Sequence, residues 1–193
     1  MIDRVHESQL PPTALILVDV INSFFVEGMP NYYPEAAQIL PALRLLLSQA
    51  RAAGRLVVHG VERHHPGFDD YEWRKLPRHH LSGDLDAAFL EGFAPVGPHE
   101  IVCPKRRYSA FFATDLALFL NEQRIERVIV AGVKTNVCIR ATVQDAFANG
   151  FAVVVPREAT NSNRAHLAAA SLEDIERYFG EVAPLERALE MLA

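Results

Sequence analysis

Cysteine is scarce: the 193 residues contain two, Cys103 and Cys138. Two are too few for a disulfide framework, and without a Cys-x-x-Cys pair nothing suggests a thiolate zinc site or a dithiol redox motif. Each is expected as a free thiol. No Gly-x-Gly occurs anywhere in the chain, which removes the dinucleotide-binding fingerprint. A basic excess is missing as well, since 19 Lys and Arg stand against 24 Asp and Glu for a net charge of −5. That balance argues against nucleic acid and other polyanions as partners. Long apolar runs are also absent. The longest, Ala14 to Ile21, contains Asp19 and falls far short of the ~20 residues of a membrane-spanning helix. The segment Met1 to Pro12 carries Asp3, Arg4, His6 and Glu7 and lacks the apolar centre of a signal peptide. The expectation is a cytoplasmic protein without membrane contact.

What is present suits one ordinary domain spanning residues 1–193: half of the residues are hydrophobic and 22% are charged. Short aliphatic runs alternate with stretches of helical spacing, the pattern of a mostly parallel, doubly wound sheet in a three-layer α/β/α arrangement. About six strands are expected: Ala14–Val20, Arg55–Val61, Ile101–Cys103, Arg127–Ala131, Ala152–Val155 and a short one near Gly180–Val182. Their nearly continuous apolar character implies burial on both faces. Helices are predicted at Pro41–Gly54, Ala110–Asn121, Val137–Asn149, Ala165–Phe179 and Pro184–Leu192. Residues Arg63–Pro98 read differently, with many prolines and histidines and only one short regular candidate, Leu85–Leu90. This is a long excursion between strands, placed over a site rather than forming a second domain.

Ligands of doubly wound sheets sit beyond the carboxyl ends of the strands. The residues expected there are Asp19, His59 to His65, Lys105 and the run Gly132 to Cys138. Asp19 ends an apolar strand, where a carboxylate serves either as a general base or as a structural cap. Lys105 lies among three consecutive cations, either as a site group or as part of a solvated loop. Cys138 follows a strand and sits near the start of a helix capped by Thr135 or Asn136. There it is either a thiol whose ionised form the helix terminus favours or a small buried packing residue.

Taken together, these positions resemble the isochorismatase-like cysteine hydrolases, a family that includes N-carbamoylsarcosine, ureidoacrylate and biuret hydrolases and the nicotinamidases. Three ordered motifs carry the resemblance: Leu15-Ile16-Leu17-Val18-Asp19-Val20-Ile21-Asn22-Ser23-Phe24, the segment from Lys105 to Leu116, and Ala131-Gly132-Val133-Lys134-Thr135-Asn136-Val137-Cys138 continuing to Ala146. The third is the most specific. The resemblance implies the isochorismatase-like hydrolase fold and an Asp19, Lys105, Cys138 triad acting on an amide or ureide carbonyl through a thioester. It also implies an oxyanion hole from the backbone N–H groups of Lys134 and Cys138, and a cis peptide between Val133 and Lys134. No cofactor is expected, and a dimer or tetramer is.

Departures from the family pattern carry information. Position 134 is often small in similar sequences but is Lys here, either a second cation near the site, as an anionic substrate would call for, or a side chain pointing to solvent. The nicotinamidase branch places metal ligands in an Asp-Trp-His-Pro element, whereas the corresponding residues here read Arg63-His64-His65-Pro66. The arginine argues against a metal, although His64, His65, His79 and His80 form a candidate cluster. Members that cleave the vinyl ether of isochorismate lack the nucleophilic cysteine, so Cys138 favours a C–N bond. The Thr-Asn-Val-Cys run and the stretch Ile175 to Gly180 look most like the ureidoacrylate branch. Asn22, Phe24, Arg107, Tyr108 and Phe111 are expected at the substrate, with Arg106, Arg107, Lys134 and Arg140 as candidate carboxylate binders. Three other readings stand beside this one: an isochorismatase-type ether hydrolase, a binding module without catalysis, and a Cys–His hydrolase using His59, His64 or His65 as base.

Overall fold

The computed structural model describes residues 11–193, so most of the segment Met1 to Pro12 read above lies outside the described residues. Seven strands are seen: β1 (Thr13–Val18), β2 (Val57–Glu62), β3 (Glu100–Lys105), β4 (Arg127–Val133), β5 (Ala152–Pro156), β6 (Thr160–Asn161) and β7 (Glu181–Ala183). They run in the order β3-β2-β1-β4-β5-β7, with β6 extending the pairing at the end of β4. Every pairing is parallel. The expected six-strand sheet is therefore present, with the two-residue β6 added.

The strands are apolar on both faces because both are covered. Leu15, Leu17, Val57, Ile129 and Ala131 pack on one side under helix α2 (Leu40–Ala52) and helix α6 (Leu185–Leu192). On the other side Ala14, Ile16, Val18, Val128 and Val130 pack under α3 (Leu116–Glu122), α4 (Arg140–Ala148) and α5 (Ala165–Tyr178). A short helix, α1 (Asn22–Phe25), follows β1 and was not legible in the sequence. Among the described residues no helix is long and apolar enough to cross a membrane.

Three boundaries differ from expectation for identifiable reasons. Strand β1 stops at Val18 because Asp19 adopts φ 54°, which leaves the extended region. Strand β3 runs on to Lys105 through Pro104, which an edge strand tolerates because that side of the ladder has no partner to receive an N–H. The helix expected from Ala110 begins only at Leu116. Ala113 sits at φ 55°, and Thr114 turns its hydroxyl to donate to the Ala110 carbonyl at 2.6 Å.

Candidate active site

In this strand order β1 and β4 flank the point where the winding reverses, and a crevice opens beyond their carboxyl ends. Gly132 makes their close approach possible. It has φ 125°, and a Cβ there would stand 2.1 Å from the Val18 carbonyl oxygen. The Val133–Lys134 peptide that follows is cis. The chain then enters a single π-helical turn, Thr135–Ile139, that leads into α4.

Four strand ends bring four ionisable side chains together. Asp19 follows β1, Glu62 ends β2, Lys105 ends β3 and Cys138 lies in the turn after β4. The Lys105 ammonium lies 2.8 Å from Asp19 Oδ2 and 3.5 Å from Glu62 Oε2, and no part of it reaches solvent. The Glu62 backbone N–H donates to Asp19 Oδ1 at 2.8 Å. Carboxylate oxygens of Asp19 and Glu62 and the Cys138 sulfur all lie within 4.8 Å of one another. Asp19 Oδ2 makes no well-aligned hydrogen bond and is fully buried.

Charge in this group follows from burial. Desolvation alone would strip the proton from Lys105, but Asp19, Cys138 and Glu62 outweigh it and hold the amine protonated. Cys138 moves away from the ionised form that a helix terminus favours. Burial pushes its thiol well above the ordinary value of 9.0, and the attraction of Lys105 only partly opposes this. Burial therefore favours the protonated sulfur over the thiolate.

The crevice holds a cavity of about 190 Å³ whose floor includes Cys138, with Phe24, Leu76, Tyr108 and Val137 supplying apolar wall. Asn31, Glu62, His79, His80 and Lys134 supply its polar wall. Of the residues expected at the substrate, Phe24 and Tyr108 line this cavity. Asn22 instead donates to the Leu85 carbonyl at 3.0 Å, and Phe111 packs on Phe151 in the core. Arg107 is held at 2.9 Å by Asp70 and does not line the cavity, so its role as a carboxylate binder is not met by its position. The histidines named as alternative bases are engaged elsewhere. His59 pairs with Glu100 at 2.9 Å, His64 lies between Glu62 and Asp70, and His65 is exposed.

One cluster was only half legible in the sequence. His64, His79 and His80 gather around Glu62 as the histidine pattern suggested, but the acidic members are Glu62 and Glu72, not a residue at position 63. Glu62 ends a buried strand, and nothing in the sequence marks Glu72. Both ring nitrogens of His79 face acceptors, the Pro77 carbonyl and Glu62 Oε1. Those of His64 face Asp70 Oδ2 at 3.0 Å and Glu62 Oε1 at 3.3 Å. An imidazole meets two acceptors only as imidazolium, or by giving one lone pair to a cation in place of the second proton. Accordingly, burial would lower His64 and His79, but hydrogen bonds to the carboxylates prevail and raise both. Both oxygens of the buried Glu72 carboxylate lack hydrogen-bond partners. A donor set of Glu62, Glu72 and two imidazoles, each imidazole with its second nitrogen already held, fits a divalent metal.

Comparison with known proteins places these features in a family. A model of the isochorismatase domain matches residues 13–187. Maleamate amidohydrolase of Pseudomonas putida is 36% identical over 184 residues, covering 93% of this chain and 86% of that protein. Ureidoacrylate amidohydrolase of Stutzerimonas stutzeri is 32% identical over 201 residues, covering 90% and 80%. The structure of a pyrazinamidase from Pyrococcus horikoshii in complex with zinc superposes with a TM-score of 0.81 at 27% identity, covering 90% of this chain and 99% of that one.

Proposed function

The chain belongs to the isochorismatase family, and on that premise we propose that it hydrolyses a C–N amide or ureide bond of a small molecule through a thioester on Cys138. The observation that carries this reading is the convergence of Asp19, Lys105 and Cys138 at the reversal point of the sheet, under a cavity of small-molecule size. Asp19 takes the thiol proton as Cys138 Sγ attacks the carbonyl carbon. Lys105 holds Asp19 in place and offsets the negative charge that builds beside it. The carbonyl oxygen becomes an oxyanion that accepts hydrogen bonds from the backbone N–H groups of Lys134 and Cys138. Asp19 then returns the proton to the departing nitrogen, ammonia leaves, and the C–N bond gives way to a thioester. Water attacks that thioester with Asp19 as base, the acid is released and the thiol is restored. The sum is amide plus water giving acid plus ammonia.

A metal fits beside this machinery. Glu62, Glu72, His64 and His79 would hold it, and it would supply a Lewis acid in the cavity wall able to anchor a lone pair of the substrate. The orphaned Glu72 carboxylate favours this over the metal-free expectation drawn from Arg63. The protein's own steps, proton transfer and nucleophilic attack, stay with Asp19, Lys105 and Cys138. Both cysteines are unpaired, which suits a reducing cytoplasm, and association into a dimer or tetramer completes the reading. Light scattering that gave a monomer at micromolar concentration would remove that last part.

The test is ammonia release from a panel of maleamate, ureidoacrylate, N-carbamoyl amino acids, biuret and nicotinamide, with wild type and Cys138→Ala. Turnover that vanishes in Cys138→Ala, together with a covalent acyl adduct on the Cys138 peptide, is the expected result. Activity that survives the substitution would overturn the mechanism and return the ether-hydrolase and binding-module readings.

A further inference from the structure

Cations around the cleft are nearly all neutralised by protein carboxylates. Lys105 pairs with Asp19 and Glu62, and Arg106 and Arg107 pair with Asp70. The cavity histidines His79 and His80 both contact Glu62. Lys134 differs. Its ammonium rests over the faces of Phe24 and Tyr33, 5.6 and 5.3 Å from the ring centroids, and among the described residues it has no carboxylate partner. It shares the cavity with Cys138 and is half-buried, so the charge is partly desolvated yet reachable from the cavity. Tyr33 is itself fixed, since its hydroxyl donates to Asn161 Oδ1 at 2.8 Å. Two ring faces attract a cation but leave its N–H donors unanswered. A built-in cation of this kind, facing a small apolar cavity that ends at a nucleophile, is arranged for an anion brought in by the ligand.

We propose that Lys134 sets the substrate class: a short amide or ureide whose far end carries a carboxylate, bound to the Lys134 ammonium while its carbonyl faces Cys138. The assignment rests on the amidohydrolase reading above and goes beyond it. It gives Lys134 two separate duties, its backbone N–H at the carbonyl oxygen and its side chain at the opposite end of the same molecule. The spacer between the two groups has to fit about 190 Å³ and lie against Phe24, Tyr108 and Val137, so it is short and apolar. Lys134 is on this account a specificity residue, and its loss falls more heavily on carboxylated substrates than on neutral ones.

Two measurements test this and separate it from the parent reading. The first compares maleamate with its neutral diamide, and succinamate with succinamide, in wild type, Lys134→Met and Lys134→Arg. Wild type is expected to prefer the acids. Lys134→Met should raise KM for the acids about 10- to 100-fold and lower kcat/KM for the acids at least tenfold more than for the diamides. Lys134→Arg should restore most of the preference. The second follows alkylation of Cys138 by iodoacetate and by iodoacetamide, quantified on the Cys138 peptide, and needs no hydrolysis. The ratio of the two rates should fall about tenfold or more in Lys134→Met. Equal losses on acid and diamide with an unchanged alkylation ratio would overturn the Lys134 assignment and leave the amidohydrolase reading standing. An alkylation bias dependent on Lys134 in a protein that hydrolyses none of the amides would do the reverse.

Discussion

Lys105→Met removes the single cation that the buried carboxylates of Asp19 and Glu62 share. At separations of 2.8 and 3.5 Å and an effective dielectric near 20, the two attractions amount to roughly 6 and 5 kcal/mol before desolvation is counted. Desolvation of the ammonium offsets much of this, and removing one side of a buried ion pair costs about 3–5 kcal/mol net, because the partner charge is stranded. A domain of this size holds ~5–15 kcal/mol in all, so the variant should remain folded but weak. With a shift of ~2–4 °C per kcal/mol, the melting temperature should fall by about 6–20 °C. Chemical denaturation of wild type, Lys105→Met, Glu62→Gln and the double variant forms a closed cycle. The double variant should recover part of the loss, since Gln needs no counter-charge at position 62. A single-variant cost below about 1 kcal/mol at pH 7.5, or a strictly additive cycle, would refute the view that Lys105 is the shared counter-ion of both carboxylates.

Gly132→Ala places a methyl group 2.1 Å from the Val18 carbonyl at a positive φ, so it should cost more than ~3 kcal/mol and most of the activity. Near-native melting and turnover would show that β1 and β4 can separate without consequence. Burial would raise the Glu100 carboxyl, but Arg51 and His59 outweigh it and hold it below its ordinary 4.5. Its stabilisation is therefore complete above that value and is lost as the pH falls through the lowered one, and Glu100→Gln should flatten the acid limb of a melting-temperature profile. An unchanged slope would dismiss Glu100 as a contributor. Protein dialysed against limiting zinc should retain about one ion per chain by elemental analysis, and Glu72→Ala should weaken retention about 10-fold or more. Equal retention in both would remove Glu72 from the ligand set.

The sheet was readable because buried parallel strands leave continuous aliphatic runs, and the proposed site positions stood out because Asp19 and Lys105 close such runs and Cys138 comes one turn after another. Asp19 and Cys138 stand out as polar or nucleophilic residues at the ends of apolar segments, and Lys105 follows the same logic one strand away. Lost from view were features fixed by contacts between distant segments. Glu72 lies in a short 3-10 turn inside the excursion, and only the folded path of that excursion carries it to His64. Arg107 looked available because a sequence does not display its partner Asp70, 37 residues earlier. The helix start at Leu116 was hidden by a local competition: Ala110 to Thr114 have helical composition, but the left-handed Ala113 and the Thr114 hydroxyl redirect the backbone. The state of the Cys138 thiol was left open for a similar reason. A helix terminus suggests a thiolate, whereas full burial decides otherwise.

In the β2–β3 ladder Glu62 is the register partner of Lys105, and in the β1–β4 ladder Val18 is that of Gly132. The group at the strand ends is thus written across the sheet rather than along any one element. A slip of one residue between neighbouring strands would turn every second side chain to the opposite layer and scatter the group between the two faces. On the proposed mechanism, activity at Cys138 therefore doubles as a check on assembly: a chain that has collapsed, gained its helices and paired its strands out of step carries all the same residues without bringing them together.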